Sequence, residues 1–168
     1  TLSLHDALPI YADLLQRRHG VAQRVLGTVA QGFLADDPHR FTGRVGDRWA
    51  DDLPVEVTME RMRRGQQRFD IFCATCHGLA GEGGNTSMTS ARALKRGDAT
   101  WVLPSSLVTD AVAQQPAGQI FGSITRGVRT MPSYAAQIPL EDRWSIVLYV
   151  RALQRSRRAT IDDVPEDL

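Results

Sequence analysis

Both cysteines of the chain fall in the string Cys73-Ala74-Thr75-Cys76-His77, three residues apart, with an imidazole directly after the second. Scattering two cysteines and four histidines over 168 residues gives that string in roughly 3 of 10,000 shuffles. A zinc site normally needs four ligands, and the spare histidines His5, His19 and His39 do not stand at finger spacing. A thioredoxin-like redox pair needs a βαβ setting, which the helical patterning around the motif does not offer. Covalent attachment of haem c is the remaining reading. The chemistry requires this order: two thiols add across the haem vinyl groups as thioethers, and the next residue swings its imidazole under the iron. Ala74 and Thr75 are small enough for the turn to lie against the porphyrin edge. One haem c held by Cys73, Cys76 and His77 is therefore expected.

The sixth iron ligand has several candidates. Met59 and Met62 stand on the helix leading into the motif and are expected to fill the core. Met88 comes eleven residues after His77 in a Gly/Ser stretch, a short path for a chain that must pass round the haem edge. Met131, in Arg-Thr-Met-Pro-Ser-Tyr, comes 54 residues after His77. Pro132 removes a backbone donor there and stiffens the approach of the sulfur, so Met131 is the expected ligand. The alternative is a core methionine with the sixth position open or bound by water. His/Met ligation raises the potential and leaves no open position for oxygen chemistry, which points to an electron carrier and away from an oxygenase or peroxidase. Pro104, in Leu-Pro-Ser-Ser-Leu, is the candidate whose backbone carbonyl accepts from the His77 ring N–H. Trp101, Arg126 and Arg129 are candidate partners of the haem propionates; ordinary turn, packing or solvated roles compete at all four positions.

Helices must position these groups. Met59, Met62, Phe69 and Phe72 recur at spacings of three and four, with Gly65 as a gap, which predicts one face of a helix entered through an N-cap at Thr58. Residues 78–90 read as a loop and 100–107 as extended. A single turn near 110–113 precedes a helix from Pro116 at its first position to a stop at Gly127. Pro132 keeps 128–138 out of helix. The last helix begins at Pro139, carries Glu141 and Asp142 in its first turn, and ends in Arg155, Arg157 and Arg158, all matching the helix dipole. That match accounts for the terminal basic run without an acceptor-docking role, which stays open beside it. Turn formers crowd residues 11–57, which read as an extended N-terminal arm. The compact part begins near Pro54, with a cytochrome-sized domain at 58–157 and an acidic tail at 158–168.

Net charge of +1 gives no reason to expect nucleic acid or an acidic membrane surface as partner. No apolar run approaches the ~20 residues that span a bilayer. Residues 1–10 read as a non-native start resembling translated adapter sequence. The expectation is that the native beginning, with any signal or lipid-bearing cysteine, lies outside the given sequence.

Residues 58–153 resemble class I c-type cytochromes: the helix with Gly65 and Phe69, Cys-Ala-Thr-Cys-His-Gly, the loop with Met131, and a final helix carrying Trp144 and Tyr149. An all-α fold around one covalent haem follows from that resemblance, with the first and last helices crossing closely and Gly65 admitting an aromatic side chain. A narrower likeness joins GTVAQGFLADD…FTG before the domain to RGQQRFDIFCATCHG within it and MPSYAAQIPLEDRWSIVLYVRALQ at its end. Together, over about residues 25–155, these are similar to the mono-haem cytochrome c subunit of alternative complex III, which oxidises quinol at bacterial membranes. That likeness implies a subunit without catalysis of its own. It would relay electrons from a complex containing a multi-haem cytochrome to a periplasmic carrier or terminal oxidase. Its location would be the periplasmic side of the cytoplasmic membrane, held through partners or an anchor outside this sequence. The competing expectation is a free periplasmic cytochrome c, or the cytochrome subunit of another oxidase or dehydrogenase.

Overall fold

The computed structural model describes residues 37–97, 100–160 and 163. The expected start at 1–10, the arm up to residue 36 and most of the acidic tail lie outside these.

The described chain opens with helix α1, Pro38–Thr42. Its N-cap is Asp37, whose carboxylate accepts from the Arg40 N–H at 3.0 Å, and it ends at left-handed Gly43. Strands β1, Arg44–Val45, and β2, Arg48–Trp49, form a minimal antiparallel hairpin. Helix α2 spans Met59–Phe72, and the Thr58 hydroxyl caps it by accepting from the Arg61 N–H, as the sequence predicts. A single turn, α3, covers Ala74–His77. After a 3-10 turn at Gly84–Thr86 come α4, Met88–Lys95, and α5, Asp110–Ala113. Helix α6 covers Ala117–Arg126 and stops at Gly127, with Pro116 as N-cap where the sequence places it one position later. The last helix, α7, covers Leu140–Ser156 after Pro139. The expected all-α class holds.

One local expectation needs correction. The Gly/Ser stretch is shorter than predicted, because the Ser87 hydroxyl accepts from the Ser90 N–H and starts α4 at Met88. Residues 101–106 carry no regular element; the segment is held by backbone bonds from Gly84 N–H to Pro104 O and from Leu107 N–H to Gly81 O, both 2.8 Å.

Helices α2 and α7 cross at the centre of the core. A Cβ on Gly65 would collide with the Ser145 carbonyl of α7, and the Tyr149 Cβ lies 3.1 Å from the same point. The missing side chain thus admits the α7 backbone first; the aromatic ring sits beside it, where Tyr149 meets Phe69 edge-on at 5.4 Å. Phe69, Phe121, Trp144 and Val147 are wholly buried. Trp144 stacks on Phe121 of α6 with centroids 4.1 Å apart. Each such aromatic removes a large apolar area from water and dominates the packing energy.

Residues 37–57, read from the sequence as part of the arm, belong to the same compact unit as the helices. The indole N–H of Trp144 donates to the Arg40 carbonyl at 2.7 Å, and Arg40 pairs with Glu141 at 2.6 Å. Ala50 is buried; its N–H donates to Gly43 O and its carbonyl accepts from Gly118 N–H, both at 2.9 Å. Gly43 and Gly118 approach so closely that a Cβ on either would meet the other's backbone. Loop-rich composition hid this segment because backbone contacts, rather than an apolar stripe, hold it.

The terminal arginines are all engaged: Arg155 with Asp163, Arg157 with Glu82 and Arg158 with Asp110. Among the described residues, no helix is long and apolar enough to cross a membrane.

Candidate haem-binding site

The site grows out of the end of α2. Cys73 closes that helix, its N–H donating to Phe69 O at 2.8 Å, and also begins α3. Its carbonyl accepts from Cys76 N–H at 3.0 Å and His77 N–H at 2.8 Å, so both thiols and the imidazole share one turn. Thr89 of α4 donates its hydroxyl to the Thr75 carbonyl at 3.0 Å and steadies the turn from outside.

The His77 ring is oriented by Nδ1, which stands 2.9 Å from the Ser105 carbonyl. A carbonyl only accepts, so Nδ1 carries the proton and Nε2 keeps the free lone pair. Burial lowers the His77 pKa, the bond to Ser105 opposing it, which favours the neutral imidazole a metal needs. The acceptor is thus one residue beyond Pro104. The Pro104 carbonyl is occupied by the Gly84 N–H at 2.8 Å, which fixes the strand of chain that presents Ser105. Gly83 makes this approach possible: at φ +60°, a Cβ there would stand 2.6 Å from the carbonyl oxygens of both Pro104 and Ser105. A glycine two positions beyond Gly81, in an otherwise loop-like run, was the only sequence signal for that contact.

Burial, then the neighbouring Cys76 and Asp70, push the Cys73 thiol up to about 12. It is therefore held protonated, the wrong form for a redox nucleophile or a thiolate metal ligand. A thioether carries no charge and suits the same surroundings. Among the described residues, no three His, Cys, Asp or Glu side chains are grouped to hold a metal ion. His39 in particular faces the Asp52 carbonyl at 3.1 Å and the edge of Trp144.

Met131 lies in a tight turn. Its N–H donates to Val128 O at 2.9 Å and its carbonyl accepts from Val128 N–H at 3.1 Å. Arg129 takes left-handed φ of 52° at the corner. The turn is tied to the end of α6: Tyr134 N–H donates to Ile124 O at 3.0 Å, and the Ser133 hydroxyl to Thr125 O at 2.6 Å. Tyr134 meets Phe72 edge-on at 6.4 Å, and its hydroxyl is pushed up by burial and then by Cys76 and Cys73. The methionine turn and the cysteine motif are thereby brought to one side of the core. Phe72, Ala74, Leu107, Met131, Tyr134 and Leu153 are half-buried apolar residues packed against the core. Apolar side chains of this kind, with two adjacent cysteines and an imidazole with a free Nε2, fit a flat apolar macrocycle.

The other methionines stand apart. Met88 is 65 % exposed on the first turn of α4. Met59, expected in the core, is also 65 % exposed, because the buried face of α2 is set by Gly65 and Phe69. Met62 is half-buried. Of the candidate propionate partners, Trp101 donates to the buried Ser90 hydroxyl at 3.2 Å and Arg126 lies over Trp49 at 4.9 Å. Arg129 is exposed at its turn.

Residues 60–150 match the family model described as cytochrome c oxidase, cbb3-type, subunit III, more than half of the chain. No curated protein matches it.

Proposed function

The chain belongs to this family of cytochrome c domains, and from that premise we propose that it is the mono-haem electron-transfer subunit of a quinol-oxidising complex of the alternative complex III kind. A cytochrome c domain works by haem-based electron transfer, and haem c is the cofactor the family implies. When bound, the haem supplies one-electron iron chemistry. The chain's own residues do the rest. Cys73 and Cys76 would hold the macrocycle by thioethers, while His77, steered by Ser105, would present Nε2 to the iron. Met131 would supply the sixth ligand from its braced turn and close the iron to oxygen.

The observation carrying the electron-transfer reading is the Nδ1 contact of His77 with the Ser105 carbonyl at 2.9 Å. It fixes the ligand tautomer before any metal arrives. The quinol-oxidase assignment rests on the terminal motif from Met131 to Gln154 and on its likeness to that subunit. A second reading, the cytochrome subunit of a cbb3-type oxidase, draws support from the description of the matched family. In either assignment, haem c attachment requires maturation outside the cytoplasm, which puts the domain on the periplasmic side of the membrane.

Two measurements test this. The holo protein is expected to be low-spin, with the weak band near 700 nm that reports iron–sulfur bonding to methionine, and Met131→Ala is expected to abolish that band. A high-spin wild type, or a band that survives in Met131→Ala, would remove Met131 as ligand. For the assembly, the tagged chain is purified from native membranes. Co-purification of a multi-haem cytochrome with quinol-driven reduction of the haem supports the first assignment; a copper–haem oxidase core on the same column with no multi-haem cytochrome supports the second and defeats the first.

A further inference from the structure

Arg143 is a guanidinium inside the core, only 6 % exposed on the first turns of α7. It forms no ion pair among the described residues. Its carboxylate neighbour on α7, Asp142, is taken by Arg64 at 2.7 Å and Arg68 at 3.3 Å. A buried cation without a counter-ion is costly, and the Arg143 Nε also lacks a partner. Two features offset that cost. The guanidinium lies over the Phe121 ring at 5.1 Å, and one terminal nitrogen donates to the Thr125 hydroxyl at 2.6 Å. Thr125 is in the last turn of α6, where the helix dipole favours a cation.

That last turn is also where the methionine turn is fastened. Its carbonyls would be orphans at a helix end. Instead Ser123 O accepts from Gly127 N–H at 2.9 Å, Ile124 O from Tyr134 N–H and Thr125 O from the Ser133 hydroxyl. A Cβ on Gly127 would stand 2.5 Å from Met131 O, so the turn folds directly back on the helix end. Thr125 is therefore held from two sides, its hydroxyl by Arg143 and its carbonyl by Ser133.

We propose that Arg143 is a positioning residue for the iron's sixth ligand: through Thr125 it clamps the end of α6 and keeps the Met131 turn closed over the haem. The proposal rests on the reading of Met131 as ligand. An open turn leaves the sixth position to any small base in solution. The apparent affinity for free imidazole therefore scales with the fraction of time the turn is open.

The test titrates the holo protein with imidazole and follows the band near 700 nm. Arg143→Met keeps the bulk but loses charge and donor; it is expected to tighten apparent imidazole binding about tenfold or more, as loss of a charge-assisted bond implies. Arg143→Lys is expected to restore part of the difference. Thr125→Val, nearly isosteric, probes the same contact if Arg143→Met fails to fold; it is expected to tighten binding likewise, while Thr125→Ser stays near wild type. Imidazole affinities within twofold of wild type in Arg143→Met and Thr125→Val, with only the melting temperature lowered, would reduce Arg143 to a packing residue and overturn the proposal. Met131→Ala is the reference. If it changes neither band nor imidazole affinity, the ligand reading itself fails and this proposal falls with it.

Discussion

At the scale of single residues, the site is a matter of protonation and aim. Cys73 and Cys76 sit one helical turn apart, and burial keeps the Cys73 thiol neutral. Each is expected to make one thioether, so Cys76→Ser should retain haem through Cys73 but leave one vinyl group unreacted. The longer conjugation then shifts the reduced pyridine adduct several nanometres to the red, and an unshifted band would remove Cys76 from the attachment. The pentapeptide from Cys73 to His77 carried this much in the sequence, because covalent attachment fixes residue types at fixed spacing. The partner of His77 was misplaced by one position, from Pro104 to Ser105. Proline marked the right bend, but which carbonyl faces the ring depends on how Gly83 and Gly84 receive that strand, a long-range contact that no local propensity encodes.

At the scale of elements, the crossing of α2 and α7 holds the molecule together, and Gly65 is its contact point. Gly65→Ala gains helix propensity but drives a methyl into the Ser145 carbonyl. A net loss of about 3 kcal/mol is expected from overpacking, read as a lowered midpoint in denaturant with the slope unchanged. An unchanged or raised midpoint would mean that the helices separate at no cost. Both helices were legible in the sequence. Thr58 caps α2, Pro139 immediately precedes α7, and the 3.6-residue period of α7 buries Trp144, Val147 and Val150. Helix α4 was not legible, since Ser87 and Thr89 resemble loop residues until their hydroxyls are seen capping the helix and reaching Thr75.

At the scale of the whole molecule, the domain is larger than the matched stretch 60–150, because residues 37–57 complete its core. A chain beginning at Val57 should therefore be less stable than one beginning at Asp37. It loses the Arg40 acceptor of the Trp144 indole and the backbone bonds through Ala50. Hydrogen bonds and lost burial together suggest about 3 kcal/mol, or about 10 °C in melting temperature; equal melting would show the segment to be ornamental. The three arginines at the end of α7 carry a consequence at this same scale. Each already faces a carboxylate of its own chain, so beyond the ~8 Å over which salt lets charges be felt the helix end presents closed pairs and no positive pole. A carrier that must find its acceptor by diffusion gives up long-range guidance in this way. One that lives beside its donor and acceptor gives up nothing.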